Sequence, residues 1–195
     1  MASTPSTMLE LGTSLPDFSL PDTVTGRIVT RDELLGGKAV LVMFLCNHCP
    51  YVQHIIGGLD RLAVDYIPRG VRIVAISSND AAAYPEDGPG PMKALAESRG
   101  WTFCYLYDES QQVAKAFQAA CTPDFFLFDG QQRLVYRGQF DESRPKNGAP
   151  VTGRDLRAAL DAVLAGNSVP ENQRPSLGCN IKWKESDKSN LLSPA

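Results

Sequence analysis

Cys46-Asn47-His48-Cys49 is the stretch of this chain whose residue types and spacing could most directly do chemistry. Two sulfurs two residues apart can make and break a disulfide: one attacks as a thiolate and the other resolves the mixed disulfide. They can also form half of a metal site, or pack as inert thiols. At the start of a helix, Cys46 would meet free amide groups and the positive end of the macrodipole, which favour a thiolate. Pro50 suits the first turn of such a helix, where a missing N–H costs little. Asn47 is expected to tune the site as a side-chain donor, and His48 as a cation or donor. Either would stabilise a Cys46 thiolate and make the pair more oxidising. Zinc is disfavoured, because no second Cys-x-x-Cys or paired histidine exists and the other histidine is His54. No metal and no organic cofactor are expected.

The elements around the pair must supply that position. Residues 39–45, AVLVMFL, form a continuous apolar run rich in β-branched residues, as expected of a strand buried on both faces. Downstream, Ile55, Ile56, Leu59, Leu62, Ala63, Tyr66 and Ile67 recur at steps of three and four, predicting an amphipathic helix ended by Pro68 and Gly70. A second buried strand follows at 71–77, then a Pro- and Gly-rich loop, a short helix, a strand at WTFCYLY and a helix over 110–120. DFFLFDGQQRLVYRGQF reads as a hairpin around Asp129-Gly130. A last helix starts at Thr152-Gly-Arg-Asp155, a capping-box pattern. Upstream, PDFSLPDTVTGRIVT reads as two short strands around a turn. The alternation predicts a layered α/β fold with parallel strands and an added antiparallel hairpin. Residues 1–9 read as a disordered N-terminus, 10–166 as the domain, and 167–195 as a polar tail with a docking segment around 176–184.

The bulk properties exclude several functions. The 195 residues carry 19 basic and 22 acidic side chains, a net charge of −3, with no basic block for nucleic acid. No apolar run approaches a membrane span, and the first residues lack a secretory pattern, so the cytoplasm is the expected compartment. Five cysteines, an odd number in a chain this long, argue against a disulfide scaffold. The expected partners are therefore protein or small-molecule disulfides and thiols, with a reducing partner. The chain is expected to be a monomer or weak homodimer.

PDFSLPD, GKAVLVMFL and CNHCP, together with ISSND, YPED, TPDFFLFD and a terminal GCNIKW, make the chain resemble the redoxin branch of the thioredoxin superfamily, the AhpC/TSA type of domain. The resemblance runs from about residue 10 to residue 184. It implies a thioredoxin-like three-layer α/β/α sandwich with a mixed central sheet and an N-terminal β-hairpin extension. It implies thiol–disulfide exchange, with Cys46 as nucleophile, Cys49 as resolving thiol, and Thr122 and cis-Pro123 lining the groove for substrate backbone. Two departures stand out. The buried acid that thioredoxins carry beneath the cysteines is replaced by Val40. The hydroxyl that peroxiredoxins carry three residues before their reactive cysteine is absent, since Met43 precedes Cys46 and Cys46 itself precedes Cys49. Peroxidase activity is thus the alternative to disulfide exchange, and a copper or other metal carrier of the same fold is a further one.

Three cysteines remain. Cys104 reads as a small buried hydrophobe. Cys121, two residues before Pro123, falls near the site. Cys179 sits in the apolar island SLGCNIKW, where it either packs or serves as a third redox thiol. Asp80, Glu86 and Asp87 read as a solvated acidic loop with no ligand.

Overall fold

The computed structural model describes residues 3–185. Its centre is a five-stranded mixed sheet. β4 (Ala39–Phe44) runs parallel to β5 (Val71–Ser77) on one side and antiparallel to β8 (Asp124–Asp129) on the other. β6 (Cys104–Tyr107) and β9 (Leu134–Arg137) form the two edges. All six β4 residues are buried because both faces of the sheet are covered, which explains the unbroken apolar run.

Alternate residues of β4 feed two cores. Leu41, Met43 and Leu45 join α1 (Pro50–Tyr66), α2 (Pro89–Arg99) and α4 (Arg154–Leu164) on one face. Val40, Val42 and Phe44 join α3 (Gln112–Ala116) and the N-terminal segment through Leu9, Leu15 and Phe18 on the other. The result is a thioredoxin-like three-layer α/β/α arrangement. β2 (Ser19–Pro21) and β3 (Ile28–Thr30) form the expected N-terminal hairpin, tied to β6 where the buried Asp22 carboxylate accepts the Tyr105 N–H at 3.1 Å. In α1, Gly58 is where the helix meets the Phe140 ring: a Cβ there would lie 2.8 Å from it.

A second, three-stranded sheet brings the two ends of the described chain together. β1 (Thr4–Pro5) pairs with β10 (Leu177–Asn180), and β10 pairs with β7 (Cys121–Thr122). Residues 3–9 are therefore not a disordered leader: Ser6 N–H donates to the Ser176 carbonyl at 2.9 Å and Leu9 is buried. Their polarity satisfies strand pairing instead of solvent, which composition alone does not show. The segment read as a docking island is β10 and the residues after it, with Ile181 buried. Residues 186–195 of the expected tail lie outside the described residues.

The Thr152–Asp155 capping box does not form. Gly153 is the N-cap of α4, without a side-chain cap, and Asp155 instead accepts from Gln139 at 2.6 Å. Among the described residues, no helix is long and apolar enough to cross a membrane.

Candidate active site

The strand–cysteine–helix succession places the pair at the C-terminal end of β4, with the helix starting close to where the sequence predicts it. α1 begins at Pro50, so Cys49, not Cys46, is its N-cap. Cys46 lies before the helix, and the amides that would stabilise it are already used. Asn47 N–H and His48 N–H donate to one oxygen of the Asp87 carboxylate, at 2.8 and 3.2 Å. The other oxygen accepts from His48 Nδ1 at 2.5 Å and from Asn79 Nδ2 at 2.7 Å.

Asp87 was read as part of a solvated loop, and it is fully buried instead. It ends a 3-10 turn, Pro85–Asp87, that folds the loop back over the cysteine turn. Four N–H donors meet the desolvation cost of its charge. The signal available in the sequence was a Pro-Glu-Asp-Gly turn in a loop too compact to wave in solvent, and nothing in it named the partner.

His48 lies between Asp87 and the Tyr84 ring, on which it stacks at 5.3 Å. Asn47 does not donate to sulfur: its Nδ2 donates to the Glu86 carbonyl at 3.0 Å and its Oδ1 accepts from Tyr105 Oη at 3.2 Å. Cys46 Sγ, a His48 ring nitrogen and an Asp87 oxygen lie within 4.8 Å of one another. A cation there would have to displace the four donors that saturate Asp87.

Thr122 forms the opposite wall. Its Oγ1 is 3.3 Å from Cys46 Sγ, and its carbonyl accepts from the Cys49 thiol at 3.0 Å. The Thr122–Pro123 bond is cis, the isomer that the resemblance implies. β10 then covers this wall, with Cys179 directly opposite Thr122, whose carbonyl holds the Cys49 thiol. Cys46 and Cys49 are consequently 1% and 0% exposed.

The two sulfurs titrate as a pair. The hydrogen bond from Cys46 draws Cys49 down to about 5 against its burial, helped by the Cys179 thiol and by the Val52 amide in the first turn of α1. The same Cys49 contact, then burial, then the Asp87 charge push Cys46 up. In this closed arrangement the shifts run in opposite directions, lowering the Cys49 thiol and raising that of Cys46. The Cys49 contact and burial are the main causes at Cys46, and Asp87, which takes the amides, adds a like charge.

Cys121 is buried beside the site, and burial raises its thiol. Cys104 is half-buried. Asp124, next to Pro123, is a buried acid that the sequence reading did not single out. Its Oδ1 has no partner, and burial raises its carboxyl to about 7.

Comparison with known proteins is consistent with this geometry. The AhpC/TSA family model matches residues 11–137. The chain is similar to an uncharacterized conserved protein from Geobacillus kaustophilus, at 55% identity and TM-score 0.93, over 95% of this chain and 98% of that one. It is similar to a hypothetical protein from Sinorhizobium meliloti 1021, at 52% identity and TM-score 0.91, over 93% and 99%. A putative thiol:disulfide interchange protein DsbE from Chlorobium tepidum shares the fold, at 18% identity and TM-score 0.63, over 80% and 99%. No curated protein matches the chain.

Proposed function

The chain belongs to the AhpC/TSA family, and on that premise we propose that it is a thiol–disulfide oxidoreductase working through a Cys46–Cys49 dithiol/disulfide pair. The observation that carries this is the meeting of both sulfurs on Thr122, Cys46 Sγ at its Oγ1 and Cys49 Sγ at its carbonyl. The electrostatics give the attack to Cys49, although the resemblance gives it to Cys46. Cys49 loses its proton most readily, attacks one sulfur of a substrate disulfide, expels the other as a thiolate and is left in a mixed disulfide. Cys46 then attacks Cys49 Sγ, closes the internal disulfide and releases the substrate thiol. The Asp87–His48 pair beside Cys46 is the nearest group to take its proton. Thr122 and Pro123 line the substrate groove. The substrates are protein or small-molecule disulfides, a partner dithiol restores the reduced state, and the proposed compartment is the cytoplasm.

Insulin disulfide reduction with dithiothreitol as donor tests the reading. Turnover is expected in the wild type and lost in Cys49→Ser. In Cys46→Ser/Cys179→Ser, a mixed disulfide is expected to persist on Cys49. Equal turnover in the wild type and Cys49→Ser would overturn it.

A peroxidase is the second reading. The Thr122 hydroxyl beside Cys46 supplies from across the site the group that the sequence lacks three residues upstream. Hydrogen peroxide consumption exceeding insulin reduction would select it.

A further inference from the structure

β10 approaches the cysteine pair more closely than packing alone requires. It forms an antiparallel pair with β7, in which Cys179 faces Thr122 and Asn180 faces Cys121. Directly opposed residues of an antiparallel pair project to the same face. The Thr122 side chain touches Cys46, so Cys179 projects onto the same sulfur cluster. The approach depends on Gly178, where a Cβ would lie 2.0 Å from the Thr122 carbonyl oxygen and 3.1 Å from Pro123 N. Only a residue without a Cβ lets β10 lie this low over the Thr122–Pro123 backbone. Cys49, whose thiol lies on the same Thr122 carbonyl, sits among these sulfurs, and both Cys46 and Cys179 lower its titration. Cys179, at 6% exposure, is the least sealed of the three.

We propose that Cys179 is a third redox thiol, which β10 delivers to Cys49, so that this chain exchanges between a Cys46–Cys49 and a Cys49–Cys179 disulfide. This rests on the thiol–disulfide exchange assigned above, which supplies the first disulfide. Cys179 gives up its proton and its sulfur attacks Cys49 Sγ. The Cys49–Cys179 bond forms as the Cys46–Cys49 bond breaks, and Cys46 leaves with the bonding electron pair and takes up a proton. No net oxidation occurs; the disulfide moves. The Cys46 environment favours the protonated product, while the pairing of Cys179 with Thr122, whose carbonyl holds Cys49, brings the attacking sulfur to its target. The same strand fills the Thr122 edge that an extended substrate backbone would pair with, so β10 must leave before a protein disulfide enters and returns to take the disulfide inward. The chain thereby stores the oxidised state on a strand that moves in and out of the groove.

Glutathione disulfide, as oxidant, tests this in the full chain carrying Cys104→Ser and Cys121→Ser. Peptide mapping after oxidation is expected to find both Cys46–Cys49 and Cys49–Cys179. In the added Cys46→Ser variant, Cys49 attacks glutathione disulfide and releases glutathione. Cys179 then displaces the second glutathione, leaving a Cys49–Cys179 disulfide as the main product. Gly178→Val, which forces β10 off Thr122, is expected to lower Cys49–Cys179 at least tenfold while Cys46–Cys49 still forms. A far-ultraviolet circular dichroism spectrum like that of the parent chain reports that the domain is folded. If Cys46–Cys49 forms in the parent chain but Cys46→Ser stays glutathionylated at Cys49, the third-thiol role fails and the exchange reading stands. If neither disulfide forms in the parent chain, both fail.

Discussion

On one side of Cys46, a single carboxylate gathers four N–H donors from three residues; on the other, a four-residue strand lies on the Thr122 backbone. The Asp87 wall is buried charge in a closed network, whose members cannot leave singly without stranding a partner. The β10 wall is neutral backbone pairing in a small sheet, between two strands of only two residues each, where opening costs less. Close packing over a reactive sulfur thus comes in a permanent and a removable form. The removable wall is the one that carries a further cysteine.

Removing the permanent wall is expected to have the largest effect. Asp87→Ala leaves the Asn47 and His48 amides without their acceptor and should cost about 4 kcal/mol in denaturant unfolding. A loss below about 1 kcal/mol would show that the network is not what holds that wall.

Asp124, beneath the other wall, sharpens the comparison through pH. Its folded carboxyl titrates near 7, above its unfolded value, so the native state holds more protons between about 4 and 7. Its contribution is complete below the unfolded value and is lost as pH rises through 7. Asp124→Asn should flatten that slope and gain on the order of 3 kcal/mol relative to wild type at pH 8. Parallel slopes for both chains would refute the assignment.

Displacing the removable wall should cost less. Gly178→Ala is expected to lose about 1–2 kcal/mol of stability. The β10 amides should then exchange far faster than those of β4. Unchanged protection in β10 would mean that the close approach to Thr122 is not needed to hold it.

The smallest effect concerns the shared charge. Thiolate ultraviolet absorbance should report a midpoint near 5 in the wild type. In Cys179→Ala the midpoint should rise slightly, by the loss of one hydrogen-bond donor, and in Cys46→Ala by more. A Cys46→Ala midpoint as low as that of the wild type would return the charge to another group.

The sequence exposed the sheet and the pair clearly, because both rest on local signals. AVLVMFL reads as a central strand by burial on both faces, and the steps of three and four from Val52 to Tyr66 read as α1. The cis Thr122–Pro123 bond came from resemblance, not from periodicity. What escaped depends on long-range contacts. Asp87 is forty residues from the Asn47 amide it receives, and no local pattern separates a buried acid of this kind from a solvated one. The helix start near Cys49 was legible, but the Asn47 and His48 amides ahead of it go to Asp87, a partner that no local pattern names. β1 was missed because two residues of strand have no period.

That short first strand has a practical consequence. Thr4 and Pro5 are the outer neighbours of Gly178 and Leu177, so whatever is fused just ahead of them hangs beside the flap over the sulfurs. An affinity handle at that end, a protease scar or a surface linkage would load the strand beside β10, and redox rates would then report the handle if β10 moves as proposed. Measurements of this protein belong on chains whose purification handle is attached elsewhere or cut away cleanly.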